Sequence, residues 1–470
     1  MDRYDLVIIG CGPAGERAAI QAARAGKRVV VIEREGVVGG NRVNWGTIPS
    51  KTLRESALFL YSLTRNKLHG IRVEVNQEVT VADFMYRERA VVERELDLVN
   101  RSLARYAIEV VHGHGRFVDA NTVSVERPGG APTTLEGDVI IIATGSTPNR
   151  PADVPFDGVT VFDANTILQL PRMPRSLVVL GAGVIGVEFA SMFAAIGVEV
   201  SLVDTRDRLL PYVDREIAAV FERELVRLGI VISHHERYRS IERLAGNPPR
   251  VSCLTTGGRR LEADALLYCV GRDGNSGDLG LETIDVVPDK YGLIQVNDQY
   301  QTYLPHVYAV GDVTGYPALA STSMEQGRRA VRHAFLLPGI TGPTTDMPFA
   351  IYSIPEISFV GLSEETAKSQ GVATVIGRGL YGFNARGQIL GDHEGLLKLL
   401  FDAESGRLIG AHMVGTAASE LIHIGQAFLR AGATAEEIAD AFYNYPTLAD
   451  LYRHAGLVAT VGLQRWAERE

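Results

Sequence analysis

A chain of 470 residues, 46% hydrophobic and 22% charged, has the composition of an ordinary soluble globular protein and room for about three domains. A net charge of −9 with no basic tract argues against nucleic acid as the main partner, and the absence of any run of about 18 apolar residues argues against a membrane span. The three cysteines, Cys11, Cys253 and Cys269, are odd in number and lack framework spacing, and the apolar run at residue 4 leaves no room for a signal peptide, so a reducing cytoplasm without structural disulfides is expected.

Residues 4–9 are a short β-branched run, predicted as a buried parallel strand. Gly10-Cys11-Gly12-Pro13-Ala14-Gly15 follows, then a helical stretch over 16–25 and a second strand over 28–32 that ends at Glu33. Strand, glycine turn, helix, strand and acid in this order make a dinucleotide-binding unit. Gly10 permits the tight turn, Gly12 lets the backbone approach a pyrophosphate, and Gly15 lets helix and strand pack closely. The helix N-terminus faces the phosphates, and Glu33 can accept a bond from a ribose hydroxyl. Cys11 reads as a small filler of the loop, with nothing near it in sequence to make it a thiolate.

The next stretch, Gly39-Gly40-Asn41-Arg42-Val43-Asn44-Trp45-Gly46-Thr47-Ile48-Pro49-Ser50-Lys51, runs into a helix with Pro49 suited to its first turn. Helices are predicted over 51–65 and 82–105, joined by a connector through Gly70 and Asn76. His112 and His114 flank Gly113, but no third ligand or acid cluster lies near, and no metal is expected. A strand over 139–142 enters Ala143-Thr144-Gly145, and Pro148 and Pro151 mark a domain boundary.

Residues 176–180, Gly181-Ala182-Gly183-Val184-Ile185-Gly186, a helix to 195 and a strand over 198–203 ending at Asp204 repeat the opening unit. The separation of third glycine from acid is the same in both copies, Gly15 to Glu33 and Gly186 to Asp204, so two dinucleotide sites are expected. Asp204 suits a free 2′-hydroxyl, as in NAD, whereas Arg206 and Arg208 suit a 2′-phosphate, as in NADP; a solvated charged turn is the alternative for the arginines. Thr302 and Tyr308-Ala309-Val310-Gly311-Asp312 come next. A region of mixed strands and helices then ends in Tyr443-Asn444-Tyr445-Pro446-Thr447 and a last helix.

The stretch from Gly39 to Lys51 resembles the redox-active segment of the flavoprotein disulfide reductases, the family of dihydrolipoamide dehydrogenase. There Gly-Gly is followed by a Cys, four residues, a second Cys and a Pro-Ser-Lys-like run; here Arg42 and Thr47 stand at the cysteine positions. The resemblance covers nearly the whole chain. It implies an α/β fold with two Rossmann-like dinucleotide-binding domains, for FAD and for NAD(P), and an α+β C-terminal dimerisation domain. The division implied is 1–150 for the first part of the FAD domain, 151–273 for NAD(P), 274–342 for the second FAD part and 343–470 for the interface. FAD contacts are expected from Gly10, Gly12, Gly15, Glu33, Gly40, Lys51, Ala143, Thr144, Gly145, Gly311 and Asp312, the last on the ribityl chain. Gly181, Gly183, Gly186, Asp204, Arg206 and Gly271 are expected to serve the nicotinamide nucleotide. Lys51 is placed near flavin N5 with Glu188 as its ion-pair partner, and in a homodimer the Tyr445 segment would complete the partner's flavin site.

In the disulfide reductases a His precedes the Pro of that last motif and a Glu follows it, as the acid–base pair for the thiols. Here Tyr445 and Asp450 take those places. An unperturbed phenol titrates near pH 10 and is a poor general base at neutrality. Both cysteines and the His are absent together, which removes the dithiol relay. What remains suffices for hydride exchange, in which one nicotinamide gives its hydride to the flavin and a different one takes it back from the same site. Several stretches are similar to the soluble, FAD-dependent pyridine nucleotide transhydrogenase branch: Trp45 to Lys51, Asp204-Thr205-Arg206-Asp207-Arg208-Leu209-Leu210, Tyr352-Ser353-Ile354-Pro355-Glu356 with Gly361, His423-Ile424-Gly425-Gln426-Ala427 and Asn444-Tyr445-Pro446-Thr447. The expectation is a cytoplasmic flavoprotein oxidoreductase that moves hydride between NADPH and NAD+ by a ping-pong cycle, with Lys51, Glu188, Thr47, Tyr445 and Asp450 at the catalytic site. An NAD(P)H:quinone or other small-acceptor oxidoreductase shares every motif. Arg42 is expected to put a fixed charge where the disulfide would lie and to raise the flavin potential.

Overall fold

A strand covered on both faces has no polar side to present, so its sequence reads as an unbroken aliphatic run. The computed structural model describes residues 2–65, 81–127, 129–341 and 346–469. Strands Glu109–His112, Val29–Glu33, Asp2–Ile9, Thr133–Ile142 and Val307–Ala309 pair in parallel in that order. The register sets Ile9 opposite both Ile32 and Ile142, and Ala309 opposite Ile142. The strands therefore release the chain along one edge, at Gly10, Glu33, Ala143 and Val310. Strands Thr122–Glu126 and His114–Phe117 continue the sheet antiparallel beyond Thr133–Ile142. Helices Pro13–Arg24 and Ala320–Ala334 lie together on one face, so close that a Cβ on Gly327 would stand 2.3 Å from the Ala14 carbonyl oxygen. The last parallel strand and its helix come from far along the chain, and a second body is inserted before them.

That body has its own parallel sheet, in the order Val231–Ser233, Glu199–Val203, Ser176–Leu180, Ala265–Tyr268, Val161–Asp163. Helix Val184–Ala195 is buried along almost its whole length, because its sheet covers one side and helix Thr47–Arg65 of the first body the other. The C-terminal region is an antiparallel sheet of Phe349–Ile351, Glu356–Gly361, Leu408–Gly415, Leu396–Asp402 and Thr374–Leu380. Helices Ala418–Ala431 and Leu451–Ala467 cover one face of it.

The α/β architecture with an α+β C-terminal unit is the one expected from the sequence. Two helices begin earlier than predicted, at Pro13 and at Thr47, since the proline in each first turn gives up an N–H that has no helical partner there. The connector through Gly70 and Asn76 and the boundary at residue 342 lie outside the described residues. Among the described residues no helix is long and apolar enough to cross a membrane.

Candidate active site

A cleft follows the carboxyl edge of the first sheet, where ligands of open α/β sheets bind. Gly10, Gly12, Glu33, Gly40, Ala143, Thr144, Gly145, Gly311 and Asp312 line it, joined by Asn41, Arg42, Trp45 and Thr47. Gly15 lies beneath its floor, where a Cβ would stand 2.0 Å from the Gly10 carbonyl oxygen. Gly40 faces Gly12 so closely that a Cβ would come within 2.7 Å of the Gly12 Cα, and the two glycines leave a smooth wall above the N-terminus of helix Pro13–Arg24. Glu33 braces the loop, accepting the Cys11 N–H at 2.8 Å and the Glu35 N–H at 2.9 Å. Burial holds its carboxyl above the usual value despite those two bonds. Asp312 is positioned by the Ser146 hydroxyl at 3.0 Å, and Gly311 by its N–H bond of 2.7 Å to Gln326.

Asn41 Oδ1, Arg42 Nε and Thr144 Oγ1 are buried without a partner among the described residues, and all three residues line this cleft. A buried polar atom left unpaired costs about 1–3 kcal/mol, so three around one cleft mark the place of a polar ligand. A cleft lined by a glycine loop over a helix N-terminus and by the carboxylate of Asp312 fits FAD.

The second unit repeats the device. A Cβ on Gly186 would stand 1.9 Å from the Gly181 carbonyl oxygen, while one on Gly183 would meet nothing within 4 Å. Asp204 accepts the Ala182 N–H at 2.6 Å, as Glu33 accepts that of Cys11. Arg206 also folds back onto Asp204, with Nε and Nη2 at 2.8 and 2.6 Å. Burial alone would raise the Asp204 carboxyl, but the bonds from Arg206 and Ala182 outweigh it and hold it below the usual carboxylate value. Arg208 turns away and donates to the Pro211 carbonyl. Gly271, at φ +86°, lies past strand Ala265–Tyr268 beside Asn149, on the crossing back to the first body.

The two bodies meet at Lys51. Its Nζ lies 2.7 Å from Glu188 Oε2, on the buried helix Val184–Ala195. The other Glu188 oxygen accepts the Tyr352 N–H at 2.8 Å, and the Tyr352 ring centroid is 5.1 Å from Lys51 Nζ. One turn on, Ser191 Oγ accepts the Ile354 N–H at 3.0 Å, while Arg54 donates to the Ser353 carbonyl and pairs with Glu356 at 2.7 Å. Lys51 stands in the second turn of the helix that begins at Thr47, and Glu188 compensates its charge. Thr47 opens the same helix and lines the first cleft. Tyr352 escaped the sequence reading of roles because it acts on Glu188 through a backbone N–H, which no side-chain pattern reports.

One expectation changes. Arg42 is not an uncompensated charge: its guanidinium lies 2.8 Å from Glu16 and 3.8 Å from Glu95. Glu16, directly after the glycine loop, is buried, and neutralising it explains the orientation of Arg42 better than a free charge under a ring. Asp450, at the place of the family's Glu, is held within its own helix. Its carboxylate is taken by Arg453 and lies 3.4 Å from His454, both one turn along its own helix, while Tyr445 is 75% exposed. His112 and His114 bond to the carbonyls of Glu35 and Asp278. All three cysteines are unpaired, and burial pushes the Cys11 thiol up to about 12.

Comparison with known proteins agrees with this geometry. Residues 4–327 match the family model described as pyridine nucleotide-disulphide oxidoreductase, and residues 347–455 match the model of its dimerisation domain. Relatives named soluble pyridine nucleotide transhydrogenase, from Mycobacterium tuberculosis and Yersinia pestis, are 43% and 40% identical over 97% of this chain and 97% of their own. The crystal structure of LpdA from Mycobacterium tuberculosis is similar with a TM-score of 0.89 at 27% identity, over 97% of this chain and 99% of its own. The HOCl-induced flavoprotein disulfide reductase RclA from Escherichia coli is similar at 0.85 and 28% identity, over 97% and 100%.

Proposed function

We propose that this chain, which belongs to the pyridine nucleotide-disulphide oxidoreductase family, is a cytoplasmic transhydrogenase that passes hydride between NADPH and NAD+ with bound FAD as its cofactor. The observation that carries the reading is the meeting of two complete dinucleotide units at Lys51 and Glu188 in a chain with Arg42 and Thr47 at the cysteine positions. The name of the 43% identical relatives supports it. The division into 1–150 and 274–342 for FAD, 151–273 for NAD(P) and 343–470 for the subunit contact is part of the same reading.

FAD, when bound, supplies the two-electron chemistry. The chain supplies the rest. Gly10, Gly12 and the N-terminus of helix Pro13–Arg24 take the pyrophosphate, Glu33 fixes the loop and meets the ribose, and Asp312 takes the ribityl chain. Gly181, Gly183, Gly186 and Asp204 do the same for the nicotinamide nucleotide. Lys51 is a cation held on a short leash, because Glu188 is itself fixed by the Tyr352 N–H. A fixed cation favours negative charge developing beside it without any reorganisation. No thiol takes part, since the Cys11 thiol is driven up by burial and Cys253 and Cys269 stand in the second body.

A homodimer is part of the proposal. Phe442 and Tyr445 stand exposed next to a final helix that also exposes Leu457, Val458 and Val461. An apolar edge of this kind suits a second copy. The cytoplasmic placement rests on the relatives' name and on the three unpaired cysteines.

The test is anaerobic stopped-flow. One equivalent of NADPH bleaches the flavin absorbance, and NAD+ added next restores it at a rate that matches steady-state turnover. A flavin that stays reduced with NAD+ and reoxidises with a quinone overturns the reading.

A further inference from the structure

The two dinucleotide units of this chain differ at one point. Glu33 accepts only two backbone N–H groups, from Cys11 and Glu35, and among the described residues no side chain donates to it. Its remaining lone pairs are open. Asp204, at the equivalent place, accepts four donors: the Ala182 N–H and Arg206 Nη2 on one oxygen, both at 2.6 Å, and the Arg206 N–H and Nε on the other, both at 2.8 Å. A carboxylate offers about four lone-pair sites, so Arg206 leaves Asp204 nothing for a ribose hydroxyl.

Arg206 is equally committed. The edge of its guanidinium that would grip a phosphate bidentately is the edge laid against Asp204. Arg208 cannot stand in for it. One of its terminal nitrogens is bound to the Pro211 carbonyl and the other is shut off from solvent, whereas the Arg206 side chain is 36% exposed and has room to swing.

We infer that the Asp204–Arg206 ion pair is a latch on the second nucleotide site that both nicotinamide nucleotides must open, each by taking a different half of it. This rests on the reading of residues 176–204 as a nicotinamide nucleotide site. A 2′-hydroxyl displaces Arg206 and bonds to Asp204. A 2′-phosphate draws Arg206 off and leaves Asp204 uncovered, held by the Ala182 and Arg206 N–H groups alone. Both nucleotides break the same pair, so its cost falls on each alike, and each finds in it one half that suits its 2′ substituent. The latch makes the two halves antagonists: removing either one strengthens binding to the other.

The test uses redox-inert ligands, so that it does not depend on turnover. ADP-ribose and its 2′-phosphate are titrated by calorimetry into the full-length, FAD-loaded protein and into R206Q, D204N and R208Q. The expected result is reciprocal. In R206Q the ADP-ribose Kd falls by roughly tenfold and binding of the 2′-phosphate collapses; in D204N, which keeps an acceptor for the Ala182 N–H, the 2′-phosphate tightens by roughly tenfold and ADP-ribose weakens. R208Q leaves both within about twofold. ADP-ribose binding unchanged or weaker in R206Q overturns the latch and leaves the pair a structural brace, as does loss of the 2′-phosphate in R208Q alone. Failure of wild type to bind either ligand overturns instead the reading of the second unit as a nucleotide site.

Discussion

Lys51 is held from two sides, by a carboxylate at 2.7 Å and by an aromatic ring at 5.1 Å, and neither contact comes from its own part of the chain. That arrangement immobilises a side chain that would otherwise sample many rotamers, and a cation contributes most to a reaction when it is already in place. Lys51→Met keeps the length and the packing and removes the charge. The expected effect is a fall of about 10²-fold in the rate of flavin bleaching by NADPH, with the nucleotide's apparent Kd little changed. A single-turnover rate within a factor of about three of wild type would show that Lys51 only ties the domains together. Glu188→Gln is the companion. It leaves the charge but loosens the leash, and is expected to give a smaller loss of rate than Lys51→Met.

Two copies of one element pattern, strand then glycine loop then helix, stand in this chain, and in the proposed reading one takes FAD and the other the nicotinamide nucleotide. A methyl group on Gly186 cannot fit, 1.9 Å from the Gly181 carbonyl oxygen, unless helix Val184–Ala195 is pushed off its strand. Gly186→Ala is therefore expected to purify yellow, with FAD in the intact first cleft, yet to lose NADPH-driven bleaching almost completely, which an absorbance spectrum before and after NADPH reads directly. Gly15→Ala is the mirror image and is expected to purify colourless. This part of the molecule was open to sequence reading because glycine spacing and the acid at the strand's end are local patterns with one geometric cause. The partners of these elements were not. Glu16 faces Arg42 across a turn of chain that the sequence does not show closing, and the Tyr352 N–H reaches Glu188 from 164 residues away. The local partners of Asp450 are of the same kind: Arg453 and His454 lie one helical turn beyond it and contact its carboxylate.

At the scale of the whole molecule, the second body is tied to the C-terminal sheet by a buried ionic cluster that no motif announces. Lys398, only 1% exposed, reaches Asp214 at 2.9 Å, Glu216 at 3.2 Å and Glu364 at 2.6 Å. Asp214 caps the helix Arg215–Arg227, Arg378 grips Glu216 from the neighbouring strand, and His412, on the other neighbouring strand, is buried with its Nε2 on the Leu362 carbonyl. Burial works against every charge here. His412 and Lys398 nevertheless hold the Asp214 carboxyl below its usual value, and Arg378 and Lys398 do so for Glu216. Bonds to Glu364 and Asp214 likewise outweigh burial and raise Lys398. The depressed carboxylates contribute stability that is present above their unfolded pKa, about 4, and is lost as pH falls through the lower folded values. The raised lysine contributes stability that is present below its unfolded pKa, about 10.4, and is lost as pH rises through the higher folded value. Burial lowers His412, whose neutral form contributes stability that is present above its unfolded pKa, about 6.5, and is lost as pH falls through the lower folded value, so wild-type melting is expected to be nearly flat only between about pH 7 and 10 as far as this cluster is concerned. Lys398→Met removes the cation and leaves Asp214 fully buried and uncompensated, a change that costs about 3–5 kcal/mol. The Asp214 carboxyl then loses its cation while burial goes on raising it, and Glu216 keeps Arg378, so the variant's loss against wild type is expected to be largest near pH 8 and to shrink as pH falls to about 5. Thermal melts of both proteins across that range decide it. A variant whose melting temperature matches wild type at pH 7, or whose deficit fails to shrink on acidification, would mean that the cluster is held by its packing, and that the second body's position against the C-terminal sheet owes nothing to its charge.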